Sequence, residues 1–103
     1  MVAVVQSKLT ELASLCREHC VSKLELFGSA VDGTFDPLTS DLDFLVEFSR
    51  SSKRNAFHQY FDLLFALENL FERPVDLIHA DALRNPYFIQ SVEQSRTIVY
   101  AAS

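Results

Sequence analysis

The chain has 103 residues, enough for one domain over residues 1–103, and at 49% hydrophobic it can bury a core without disulfides or a structural metal. With 14 acids against 9 bases its formal net charge is -5, which argues against binding a nucleic-acid backbone as its main task. A single nucleotide brought in with a metal remains compatible with that charge. Two cysteines are too few for a disulfide scaffold, and the N-terminus lacks a cationic stretch leading into an apolar one. The expectation is a reduced, soluble, cytoplasmic protein.

In chain order, residues from about Val4 to Cys20 place Val5, Leu9, Leu12, Cys16 and Cys20 at helical spacing, which predicts one amphipathic helix. Cys16 and Cys20 read as small apolar residues on its buried face. His19 between them would allow a metal pair, but no second Cys/His pair follows at zinc-finger spacing. Lys23 to Phe27 alternates, with Leu24 and Leu26 on one face, and predicts a strand. A loop with Gly33, Pro37 and small polar residues follows.

Leu42 to Phe48 alternates cleanly: Leu42, Phe44, Val46 and Phe48 share one face, while Asp41, Asp43, Leu45 and Glu47 share the other. The polar run SRSSKRN reads as a linker, with Arg50, Lys53 and Arg54 a solvated cluster. Asn55 to Phe71 predicts a second helix with Phe57, Phe61, Leu64, Leu67 and Phe71 as its stripe. The surplus of rings there suggests partial exposure. Pro74 to His79 predicts a third strand, Asn85-Pro86 a helix start running to about Gln94, and Ile98 to Tyr100 a short final strand. His58 and His79 read as packed or surface histidines.

The acids carry the chemistry. Asp41 and Asp43 point the same way from positions about 6–7 Å apart along one strand. Carboxylates so close repel unless a cation lies between them, and hard oxygen ligands suit Mg²⁺ or Mn²⁺. In the third strand Asp76 takes the face opposite Val75 and Leu77, so a neighbouring strand would add a third carboxylate. Gly28 and Ser29 close the first strand, where Gly admits a phosphate close to the backbone and the Ser hydroxyl can hold its oxygens. A P-loop is excluded because Thr34 stands where its Lys should follow, and no Glu closes an EF-hand loop from Asp32. Alone, an Asp-x-Asp is more often a solvated strand edge. The whole series of strand, Gly-Ser, loop, Asp-Leu-Asp and later Asp is far more specific.

The stretch LFGSAVDGTFDPLTSDLDFLVEF resembles the signature of the polymerase-beta-like nucleotidyltransferases. Within them it looks most like the minimal nucleotidyltransferases found with HEPN partners in toxin–antitoxin pairs. The resemblance covers nearly the whole chain. It implies a small mixed β-sheet with helices packed on one face, an α/β (α+β) fold. It also implies that Gly28 and Ser29 hold the nucleotide's phosphates and that Asp41, Asp43 and Asp76 bind metal. Two departures stand out: the eleven residues from Ala30 to Ser40 make the loop one longer than usual, and Ala30 takes the place of a frequent Arg.

The implied activity is Mg²⁺-dependent transfer of AMP from ATP to a protein hydroxyl, a Tyr of a HEPN toxin, which silences it. So small a chain has no second domain to hold an acceptor, which favours a protein partner, and homo-oligomers remain open. The competing readings are a binding module that blocks its partner sterically and a nucleotidyltransferase acting on a small molecule.

Overall fold

The computed structural model describes residues 3–28, 36, 41–50, 52–80 and 96–102. Their elements are α1 (Ala3–Gln6), α2 (Leu9–Glu18), β1 (Val21–Phe27), β2 (Leu42–Phe48), α3 (Ala56–Phe71), β3 (Val75–His79) and β4 (Thr97–Ala101). The helix expected over Asn85–Gln94 lies outside the described residues.

The four strands form one mixed sheet in the order β3-β2-β1-β4. β1 runs antiparallel to both β2 and β4, and β2 runs parallel to β3. The alternation in β2 sets its two faces. Leu42, Phe44 and Val46 are fully buried in one cluster with Leu24 and Leu26 of β1, Leu12 and Cys16 of α2, and Leu63, Leu67 and Phe71 of α3. Phe44 stacks on Phe71 with ring centroids 5.9 Å apart. Both longer helices therefore contribute to the apolar cluster on this face, as the mixed-sheet expectation requires.

Three details differ from the sequence expectation. The first helix is broken after Gln6 and ends at Glu18, and Cys20 follows in the left-handed region with φ 59. Cys16 and Cys20 thus do not share a helix face. Cys16 is in the core, where burial pushes its thiol up to about 12 and leaves it inert. On α3 the buried stripe is Gln59, Leu63, Leu67 and Phe71, whereas Phe57 is 67% exposed. Gln59 is fixed inward because its Nε2 donates to Ser52 Oγ at 3.0 Å and to the His19 carbonyl at 3.3 Å. That polar bridge rotates the helix away from the phase its phenylalanines suggest.

Local chemistry sets the helix ends. Asn55 caps α3, its side-chain oxygen accepting from the backbone N–H of Phe57 at 2.9 Å and His58 at 3.2 Å. At the other end Lys8 Nζ donates to the Leu70 carbonyl at 2.8 Å, placing a cation where the helix dipole is negative. No helix among the described residues is long and apolar enough to cross a membrane.

Candidate active site

The parallel register of β2 and β3 aligns Asp43 with Asp76. Both side chains leave the sheet on the face opposite the main core, and they share a hydrogen bond. Asp41, exposed and just before β2, lies near enough for its charge to act on Asp43. Burial, then the charges of Asp76 and Asp41, push the Asp43 carboxyl up to about 6, and the hydrogen bond to Asp76 adds to this.

Side chains of α3 hold Asp76 in place. Among the described strands β3 lies at the edge of the sheet, and side chains of α3 bond its backbone. Glu68 Oε2 accepts from Val75 N–H at 3.2 Å, and the Tyr60 hydroxyl donates a short hydrogen bond to the Leu77 carbonyl. These bonds bracket Asp76 on both sides. Tyr60 stacks on His79 with centroids 5.4 Å apart, and its hydroxyl is pushed upward by burial and by Asp76. His79 is thus a packed histidine, its ring also against Phe48 at 5.5 Å. A further backbone bond, Leu42 N–H to the Pro74 carbonyl at 3.3 Å, ties the start of β2 to β3 beside the acids.

Gly28 closes β1 next to this pair. Its φ of +73 is a conformation that L side chains rarely adopt, and an added Cβ would collide with Asp43 Oδ2. The Asp43 carboxylate therefore lies directly over the Gly28 backbone, because Phe27 and Asp43 are partners in the β1–β2 ladder. Gly here is required twice, once by its dihedral and once by the closeness of the acid. Ser29 lies outside the described residues.

The donors are hard carboxylate oxygens whose repulsion is relieved by positive charge, a set that fits Mg²⁺ or Mn²⁺. Among the described residues, no three His, Cys, Asp or Glu side chains already surround one point as a finished metal site. An open hollow of about 370 Å³ between α2 and α3, with Leu15, His19, Ala66 and Leu70 in its lining, is formed by the helices and not by the acids.

The acid-bearing face is not purely polar. Phe27 and Leu45 are buried there with Ile78 beside them, an apolar floor next to the carboxylates. Glu25 shares this face, 7% exposed, between Lys23 and Arg96. Sequence reading passed over Glu25 and Arg96. The available signal was a charged residue inside KLELF, a strand flanked on both sides in the sheet.

The mixed sheet thus carries two carboxylates on adjacent strands, with a glycine beneath one of them. The nucleotidyltransferase domain family model matches residues 9–99. The chain belongs to that family and is a nucleotidyltransferase of the polymerase-beta-like fold. A candidate protein adenylyltransferase of Methanocaldococcus jannaschii is 32% identical over 94 residues, spanning 84% of this chain and 92% of that protein. The solved structure of a candidate minimal nucleotidyltransferase superposes with a TM-score of 0.71 at 27% identity, covering 89% of each chain. A chain in the Shewanella oneidensis complex of a tri-AMPylated HEPN toxin with an MNT antitoxin shares the fold, with a TM-score of 0.64 at 18% identity. That match covers 95% of this chain and 73% of the other.

Proposed function

We propose that this nucleotidyltransferase transfers AMP from ATP to a side-chain hydroxyl of a HEPN-domain toxin and so acts as its antitoxin. The observation that carries the reading is the Asp43–Asp76 pair poised over Gly28. Support comes from the relative named as a candidate protein adenylyltransferase and from the fold shared with an antitoxin complex whose toxin carries AMP.

In this reading Asp41, Asp43 and Asp76 hold Mg²⁺, and Gly28 and Ser29 receive the phosphates of the nucleotide. Bound there, the metal would offset the charge of the triphosphate and stabilise departing pyrophosphate. The chain's own residues do the rest. Gly28 allows the backbone to approach the phosphates, and Phe27 with Leu45 makes a dry floor beside them. Asp76, exposed at the sheet edge, is placed to accept the proton of the incoming hydroxyl. The hydroxyl oxygen attacks the α-phosphorus, the bond to the β-phosphate oxygen breaks, and pyrophosphate leaves.

The acceptor comes from a partner. Phe57 and Phe65 are 67% and 61% exposed on α3, with Phe61 between them at centroid distances of 4.7 and 6.1 Å. An exposed row of rings suits contact with another protein. The test is incubation with labelled ATP, Mg²⁺ and the protein encoded by the neighbouring gene. Label should appear on the partner, and its toxicity should fall with labelling. Neutralisation that persists without ATP, and with Asp41 and Asp43 both replaced by Asn, would establish the steric reading instead.

A further inference from the structure

The reaction as described leaves one charged cluster on the acid-bearing face unused. The Glu25 side chain is only 9% exposed, yet both of its carboxylate oxygens are engaged: Lys23 Nζ lies 3.3 Å from Oε1 and Arg96 Nε 3.2 Å from Oε2. Burying a carboxylate inside a sheet is costly unless cations and hydrogen bonds compensate. Two cations on one acid leave a surplus positive charge. The Arg96 side chain remains 37% exposed, so this surplus reaches solvent on the guanidinium.

The topology places that guanidinium relative to the acids. Leu26 pairs with Thr97 in the antiparallel ladder, so Arg96, one residue earlier, stands level with Phe27. Phe27 is level with Asp43, and Asp43 with Asp76. One row thus crosses the sheet from Arg96 through Phe27 and Asp43 to Asp76. The salt bridge with Glu25, whose ladder partner is Leu45, puts the Arg96 side chain on the same face as the acids. Two strand spacings separate Arg96 from Asp43, about 10 Å at the backbone. Phe27 lies between them, with Gly28 one residue further along the chain.

We propose that Arg96, held in place by Glu25, is an anion-binding residue of the nucleotide site that contacts the outer phosphates of the triphosphate on the side of Gly28 away from the acids. It supplies a cation from the residue just before β4. Glu25 acts as a positioning residue, fixing the guanidinium on this face, where a planar fork matches phosphate oxygens better than an ammonium. The proposal rests on the reading of the Asp43–Gly28 end as the nucleotide site.

The test is calorimetric titration of the full chain with ATP and with AMP in the presence of Mg²⁺, alongside steady-state kinetics. Arg96→Gln should weaken ATP binding about tenfold, the effect of losing one charge-assisted phosphate contact. AMP binding should change less than about twofold, and the KM for ATP should rise more than kcat falls. Arg96→Lys should recover part of the loss. Because Arg96→Gln leaves Glu25 with one cation, the double variant Glu25→Gln/Arg96→Gln, which removes both charges, is titrated in parallel. The same selective loss of ATP in a double variant that melts as the parent does supports the proposal. Unchanged ATP affinity in it, or equal losses for ATP and AMP, overturns it. Failure of the parent chain itself to bind ATP, with Asp43→Asn behaving the same, removes the nucleotide-site reading beneath the proposal.

Discussion

The two faces of the sheet are built from the same strands and obey opposite rules. On the helix side of β2, Leu42, Phe44 and Val46 are fully buried in the main apolar cluster. On the other side the same strand carries Asp43 against Asp76 and sends Leu45 into a small cluster with Phe27. The first face lowers the free energy of the folded chain through burial. The second raises it, since like charges crowd and a carboxyl is held far from its ordinary acidity. Such a face persists because the first face stabilises the fold, and its electrostatic discomfort is what a bound cation would relieve.

The sharpest way to break this comparison is substitution across it. Asp43→Asn should reduce AMP transfer by several orders of magnitude, read as label incorporated per minute, because a carboxylate is lost where charge must be held. The same variant without metal should melt at or above the parent temperature, since it removes repulsion from Asp76 and Asp41. A lower melting temperature would show that the acid face contributes to folding after all. Phe44→Ala on the opposite face should do the reverse, costing about 3–5 kcal/mol in urea unfolding through the cavity it leaves. Activity per folded molecule should survive wherever the variant remains folded.

How much of this was legible in the sequence follows from the same division. β2 was readable to its end residues because strict alternation over Leu42–Phe48 fixes both conformation and facing. Asp41, Asp43 and Asp76 stood out because acids break an apolar pattern on one parity only. The phase of α3 was misread because Phe57 and Phe61 outweigh Gln59 on any hydrophobicity scale. The structure buries the glutamine, whose amide finds partners in Ser52 and the His19 carbonyl. Such pairing across 40 residues leaves no local trace. The Glu25 triad was hidden for a related reason: Arg96 reaches Glu25 only through the β1–β4 ladder, and a bulge between Leu24 and Glu25 shifts that register.

Gly28 sharpens the comparison at the point where β1 ends beneath the acid pair. Gly28→Ala should cost about 1–2 kcal/mol for its left-handed backbone alone. Its methyl group would also displace the Asp43 carboxylate, so transfer should fall by more than the stability loss accounts for. If activity per folded molecule instead matches the parent, Asp43 can reach its working position from elsewhere, and the crowding over Gly28 is incidental. Tyr60→Phe probes the support of Asp76 more gently. It removes one hydroxyl bond to the Leu77 carbonyl and should cost about 1 kcal/mol, with a modest fall in rate.

The smallest effect is a pH dependence confined to the acid face. Asp43 has its folded-state pKa raised from 3.8 to about 6, so between those values the native chain binds more protons there than the unfolded chain does. Stability from this group therefore rises as pH falls from about 6 toward 4 and is lost again as pH rises through 6. The sign is opposite to that of an ordinary salt-bridged carboxylate, which stabilises more as pH rises. Chemical unfolding in the absence of divalent ions, followed from pH 7 to pH 4, should show this gain superimposed on the rest of the titration. Asp43→Asn should remove it and leave the remaining pH dependence in place. Saturating Mg²⁺ should shift the gain to lower pH in the parent, because a cation at the acids favours the ionised form. A parent and variant with identical pH profiles would mean that Asp43 titrates as a solvated acid, and that the two faces of the sheet differ less in electrostatics than their geometry implies.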